Sequence, residues 1–407
     1  MGHRNSVARR VTMGRKGRSL CVAAILAASA CSSSTTASTN SPGGHTIRVP
    51  DEAKMITPAL VKAKTGDMVL ISPGVYRESA MVDKTDITIR GTNRNSVVID
   101  GEGKRPEGIV VAVDDGVRIE NLTVMSHTFN GVLITGLHDG ATAGANGADG
   151  YTRLDPAKYP PIQRFAIDSV TSYDNGLSGI YAFDGQHGTI TNSYVSGSAS
   201  SGIHIEQCAD CDIVVAGNVA ERNAVGFENA NASDSIVITA NRFASNRVGV
   251  ILQSSDQQAL APHRANYVVR NAILDNNEPD SPAPQDGAFG VGIRISARQD
   301  NVLGHNLVRG NSYVGLVFTN SRELAATGNQ ITNDTIAGDG VDIADLSAAS
   351  APSSAPTAAV RHRNRSCSLS MCSCPTTRAD LCASPAVRTA APASTTAKPR
   401  PTTPSPA

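Results

Sequence analysis

The chain has 407 residues, no Trp, 4% aromatic residues, 36 Gly and a formal net charge of zero. That balance gives no electrostatic case for nucleic acid or an anionic membrane surface as a partner. So few rings argue against a conventional core built on aromatic bulk and point to a narrow core of small aliphatics, Asn and Gly.

The first segment, residues 1–30, reads as a secretory signal. Six Arg or Lys in residues 1–19 precede the apolar run LCVAAILAASA (Leu20–Ala30), eleven residues long and too short to span a bilayer as a stable helix. Cys31 follows Ala28-Ser29-Ala30 as the cysteine of a lipobox would, although that motif usually has Leu where Ala28 stands. The expectation is lipidation at Cys31, with a plain cleaved signal as the alternative. The Ser/Thr-rich residues 31–45 then form a flexible tether.

The folded domain is expected over 46–346. Met55, Leu60 and Val61 have helical spacing within 51–65 and predict a short helix covering the open edge of a first turn. GDMVLISPGVY (66–76), ITIRG (87–91) and SVVIDG (96–101) read as strands. Beyond them a repeat sets in. Glycines 131, 179, 202, 226, 249, 292, 315 and 340 each open a short alternating strand, at intervals of 48, 23, 24, 23, 43, 23 and 25. The two long intervals hold insertions, at 137–164 and 275–289. Residues one and three after each Gly are apolar with few exceptions and face inward; those two and four after it face outward. Asn pairs (218 and 223, 241 and 246, 271 and 276, 306 and 311) fall at the corners, where Asn tolerates left-handed backbone and can stack into ladders. A period near 23 with short strands and Gly/Asn corners predicts an all-β fold, a right-handed parallel β-helix with a short N-terminal capping helix.

The order helix, then Gly66-Asp67 through Tyr76-Arg77-Glu78, then ITIRG and VVIDG, resembles the pectin-lyase-like superfamily of right-handed parallel β-helices. The subtype, marked by Gly179–Asp184, Gly197 and Gly202–Cys211, is similar to exported bacterial β-helix proteins. That superfamily includes pectate lyases, polygalacturonases, uronan epimerases and accessory proteins of nitrous oxide reductase, so the resemblance implies a fold and leaves the reaction open. The polygalacturonase patterns are not matched; Gln186-His187-Gly188 and Gly304-His305-Asn306 only approach its Gly-His-Gly.

Stacking the repeats brings Tyr181 and Phe183, His204 and Glu206, and Glu228 onto consecutive turns of one face, with Arg294 further along. His204, Glu206, Glu228 and Arg294 are the candidate catalytic residues: an imidazole and paired carboxylates can move protons beside a sugar, and Arg can hold an acidic one. Tyr181 and Phe183 are the candidate substrate-binding residues, expected to be exposed for stacking on sugar rings. The plain alternative is a solvated polar face. Cys208 and Cys211 point to a local disulfide at a corner, with metal binding as the alternative. Acids at Asp275, Glu278, Asp280 and Asp286 make calcium conceivable, without EF-hand spacing.

Residues 347–407 switch to Ala, Ser, Pro, Thr, Arg and Cys, with Asp380 the only acid, and cannot bury a core. They read as a disordered tail or as the product of a shifted reading frame. Three functions follow: an exported, lipid-anchored or secreted protein acting on polysaccharide as a lyase, hydrolase or epimerase; a non-catalytic glycan- or protein-binding β-helix or spacer; or a metal-delivery accessory protein.

Overall fold

The computed structural model describes residues 44–347, apart from 114, 138–152 and 323. The expected signal, Cys31, most of the tether and residues 348–407 lie outside the described residues.

Each turn of the chain contributes one short strand to each of three parallel sheets. The first sheet has 11 strands, from Thr46–Val49 to Gln330–Thr332. The second has ten, from Gly74–Tyr76 to Thr335–Ile336, and the third has ten, from Ala80–Val82 to Ile343–Asp345. In the third sheet the expected repeat register is kept turn after turn: Val132 pairs Ile180, then Ile203, Phe227, Val250, Ile293 and Leu316 follow in one column. These residues, and those two further along each strand, form the inner core, including the polar Asn229. The final turn departs from the expectation. Ile343, not Val341, pairs Leu316, so Val341 is exposed. A two-residue slip preserves which side chains face inward and so costs little in burial.

One helix, α1 (Ile56–Lys62), packs against the first strands of the first and third sheets. It is shorter than the helical spacing suggested, and Val61 points to solvent while Ile56, Ala59 and Leu60 are buried. Its N-terminus lacks a local side-chain cap. Glu78 supplies one from the next segment: its Oε1 and Oε2 accept the amides of Ile56 and Thr57 at 2.7 and 2.9 Å.

The corners divide the labour between two residues. Gly217, Ala240, Arg270 and His305 take the left-handed conformation, and the Asn that follows each does not. The expectation that these Asn residues themselves adopt left-handed backbone is therefore corrected; a preceding residue of almost any type makes the turn. The Asn side chains form the expected ladders instead. Asn241 Oδ1 accepts the backbone amide of Asn218 at 2.9 Å and its Nδ2 at 3.0 Å, and the pattern repeats through Asn271 and Asn306. A second ladder runs Asn223, Asn246, Asn276, Asn311. Each buried donor is satisfied by the next turn, so the ladder locks neighbouring turns in register.

Both ladders end on an acid. Asp334 Oδ1 and Asp339 Oδ1 accept from Asn306 and Asn311, while the Oδ2 of each is buried without a partner. Burial raises both carboxyls above 3.8.

Two outcomes follow. Glu78→Ala removes both acceptors from the helix start and is expected to cost roughly 2 kcal/mol, measured by urea unfolding. Asp334 and Asp339 have raised folded pKa values, so their favourable contribution is complete below 3.8 and is lost as pH rises through those values. The double variant Asp334→Asn/Asp339→Asn is therefore expected to gain about 1–2 kcal/mol at pH 7, with the gain shrinking below pH 4. An equal gain at both pH values counts against the orphaned oxygens as its source.

Candidate functional site

Outward positions of the third sheet carry the site, and they are more covered than alternation alone implies. Tyr181 is 5% exposed and Phe183 0%. Both belong to an outer apolar cluster with Val110, Leu133 and Leu137, onto which Leu154 and Tyr159 of the first insertion pack. The expectation that Tyr181 and Phe183 offer an open aromatic surface for sugars is thus overturned, because the insertion uses them as its own anchor. A second outer cluster, Val225, Val248, Ile251, Val291, Val314 and Val317, is covered in part by Ala288 of the later insertion.

Between the two apolar clusters lie His204, Glu206 and Glu228, while Arg294 stands apart from them, between Ile251 and Val317 of the second cluster. Registers Tyr181–His204, His204–Glu228 and Ile251–Arg294 put these residues in one column, with Glu228 opposite Ile251. From His204 to Arg294 is three strand spacings, about 14 Å. His204 stacks on Tyr181 with ring centroids 4.7 Å apart and planes 13° from parallel. Tyr181 Oη donates to Glu206 Oε2 at 2.6 Å, and His204 Nε2 lies 3.8 Å from the same oxygen with no hydrogen-bond partner. The His204 and Glu206 side chains are each 14% exposed. Glu228 is held at both oxygens: Ser201 Oγ donates to Oε2 at 2.5 Å and Gln253 Nε2 to Oε1 at 2.7 Å. Arg294 pairs through Nη1 with Asp286, and its Nε is buried without a partner.

Burial raises the Glu206 carboxyl above 4.5; the positive field of His204 and the Tyr181 hydrogen bond oppose this only partly, and Glu228 adds to it. The Tyr181 hydroxyl is pushed well above 10 by burial and then by Glu206, so it remains a donor. The neighbouring turns therefore present an acid that burial favours in protonated form, a carboxyl group fixed by two neutral donors, and an imidazole nitrogen buried without a hydrogen-bond partner.

Ser201, Gln253, Asp286 and Asp184 were not singled out by the repeat. Gln253 occupies an outward position and Ser201 directly precedes Gly202; the role of each emerges only from what Glu228 touches. Asp184 follows Phe183; burial raises its carboxyl to about 7, and its Oδ2 has no partner. Cys208 and Cys211 are joined, with S–S 2.02 Å, and both are buried at the end of the strand Ser201–Cys208 that carries His204 and Glu206. The acids considered for calcium do not converge: among the described residues no group of three or more His, Cys, Asp or Glu is placed to hold a metal. Instead Asp286 is spent on Arg294.

Three parallel sheets wound by one chain around a narrow core define a right-handed parallel β-helix. The chain belongs to the family described as "Right handed beta helix region", whose model matches residues 75–261 and 162–344, together more than half of the 407 residues. The resemblance to the pectin-lyase-like superfamily holds at this level. No curated protein matches the sequence. Among solved structures, an alginate lyase from Paenibacillus sp. str. FPU-7 is 14% identical with a TM-score of 0.51, covering 74% of this chain and 99% of that one. The A-module of a mannuronan C-5 epimerase from Azotobacter vinelandii is 15% identical, covering 71% and 85%, with a TM-score of 0.45. A pectate lyase is 13% identical, covering 72% and 75%, with a TM-score of 0.37. At these identities the likeness is one of fold.

The raised pKa of Glu206 has a consequence for stability. Its contribution is complete below 4.5 and is lost as pH rises through the folded value. Glu206→Gln is therefore expected to be at least as stable as the parent at pH 7 and to lose that advantage below pH 4.5, read from urea midpoints at the two pH values. A variant destabilised at pH 7 sinks the argument that burial governs this carboxyl.

Proposed function

We propose that this protein acts on an acidic polysaccharide by proton transfer across the patch formed by His204, Glu206, Glu228 and Arg294. The observation that carries the reading is the pairing of unlike carboxylates on consecutive turns. Glu206 is desolvated and hydrogen-bonded to Tyr181, while Glu228 is held by Ser201 and Gln253. Two acids whose surroundings differ in this way can divide the roles of proton donor and acceptor. Glu206 protonates the leaving glycosidic oxygen, while Glu228 or Nε2 of His204 takes the proton from the sugar carbon next to the acid group in elimination, or from the attacking water in hydrolysis. Arg294, three turns along from His204, holds the acid group of a sugar further down the chain. The glycan then lies along the helix axis, crossing turns, and passes over Ile251 between Glu228 and Arg294. That the alginate lyase and epimerase above share the winding supports the substrate class.

We also propose export through residues 1–30 and lipid anchoring at Cys31, which would hold the domain on the outer face of the cytoplasmic membrane.

A second reading is favoured by the burial of Tyr181 and Phe183. With no open aromatic platform, the patch can instead serve a binding β-helix without turnover.

The test is incubation of the full chain with alginate, polygalacturonate and a neutral glycan, reading unsaturated uronate absorbance, reducing ends and the C5 epimer ratio. Turnover confined to the acidic polymers is expected, falling roughly 100-fold or more in Glu206→Gln and Glu228→Gln. Turnover unchanged in His204→Ala and Glu228→Ala would refute this site. Binding of the polymer with none of the three products would establish the second reading.

A further inference from the structure

The later insertion contains a short flap, residues 282–289, whose two ends are tied to the body of the fold and whose exposed middle is held by a local turn bond, Gly287 N to Pro284 O at 2.8 Å, and by Asp286. Arg247 organises the ends. Its Nε donates to Ser281 O at 2.7 Å and its Nη2 to Pro279 O at 2.6 Å, its carbonyl accepts the amide of Gly290 at 2.9 Å, and its guanidinium lies over the Phe289 ring at 5.4 Å. Asn277 ties the approach to the flap to the next turn, donating to Gly310 O at 2.6 Å and accepting the Ser312 amide at 2.5 Å.

Between these fixed points Ala283, Gln285, Asp286 and Gly287 are exposed. Among the described residues, the side-chain bond from this stretch to the third sheet is the ion pair of Asp286 with Arg294. Asp286 also accepts the Ala288 amide at 3.1 Å through its other oxygen, so one carboxylate shapes the flap and pins it. Beneath it, Ala288 packs against the outer valine cluster. The pin is open to solvent at one end. The Asp286 side chain is 46% exposed while that of Arg294 is 21% exposed, so salt and competing anions reach the pair from the Asp286 side. Arg294 is not saturated by it, because its Nε is buried and unpartnered beside the polar patch.

We propose that Asp286 is a displaceable latch: its carboxylate occupies Arg294 in place of the acid group of a substrate sugar, and an incoming acidic glycan takes Arg294 and releases the flap. This rests on the acidic-polysaccharide reading above and adds how the site opens. A carboxylate on the glycan is chemically equivalent to the one it replaces. A neutral glycan cannot make the exchange. Binding and opening are thereby coupled through one guanidinium, and the flap leaves Arg294 only when an anion is there to use it.

Amide hydrogen exchange over 282–289 in the full chain tests this directly. In the parent protein, exchange of the Asp286–Phe289 amides is expected to rise several-fold on adding oligouronate, and to rise with NaCl, but not with a neutral oligosaccharide. Asp286→Asn is expected to exchange at the raised level from the outset and to respond no further, while Gln285→Ala behaves as the parent. Flap exchange that ignores both oligouronate and salt, or an Asp286→Asn flap as protected as the parent's, overturns the latch. Because turnover is measured separately, an active enzyme with an unresponsive flap rejects the latch and leaves the proposed function standing. A flap that opens with oligouronate but no turnover rejects catalysis and keeps the latch.

Discussion

Everything at the candidate site depends on successive turns stacking in one register. A parallel strand pair alone does not enforce this, since a slip by two residues keeps inward side chains inward. The buried Asn ladders remove that freedom. Each amide must find the oxygen of the Asn one turn away, and a slipped turn would strand buried donors at a cost of about 1–3 kcal/mol each. Two such ladders flank the strands of the second sheet from Val219–Glu221 onward. The final turn, where the ladders pass to Asp334 and Asp339, is also where the pairing of the third sheet departs from the repeat.

Given that register, the site is defined by what the insertions cover. Without them the outward column Leu133, Tyr181, His204, Glu228, Ile251, Arg294, Val317 would be a mixed surface. Leu154 and Tyr159 seal one part and Ala288 covers another, leaving the polar members in a partly desolvated strip. Desolvation is what distinguishes Glu206 from an ordinary surface carboxylate. The insertions thus act on the chemistry in two ways, the first by covering Tyr181 beside the patch and the later by pairing Asp286 directly with Arg294.

The period, the inward and outward parity and the ladders were legible in the sequence because each repeats, and repetition averages out local exceptions. Asn229 shows this well: it is polar, yet its place in the repeat put it in the core, where it is 0% exposed. What could not be read are features that occur once. Nothing in Tyr181 or Phe183 reveals that a distant insertion will cover them, since sugar-binding and packing surfaces use the same side chains. The 43-residue interval between Gly249 and Gly292 suggested one insertion at 275–289; the structure holds a further loop, Ser254–Ala265, before the strand Asn266–Val269. The pairing of Asp286 with Arg294 likewise joins an irregular loop to a regular strand, and no periodicity predicts it.

That further loop exposes a second mode of holding the solenoid together. It brings His263 onto Asn231, with Nε2 3.0 Å from Oδ1, close to a fully buried Arg298 that donates to Asn229 Oδ1 and to the carbonyls of Gln253 and Ala232. Burial and then the charge of Arg298 pull His263 down to about 3, so it stays neutral. Arg298 itself is lowered to about 9 by burial and stays charged at neutral pH. In the N-terminal turns the inner column is Ile, Val and Leu, and apolar area does the work of burial. Here a cation bonded to neutral oxygens replaces part of that area, which is costly unless its partners are in place. An apolar core tolerates small shifts; a guanidinium bonded to residues of the two preceding turns does not. The polar interior therefore lends rigidity to the turns directly beneath Arg294 and Gln253, where the proposed site needs fixed geometry most.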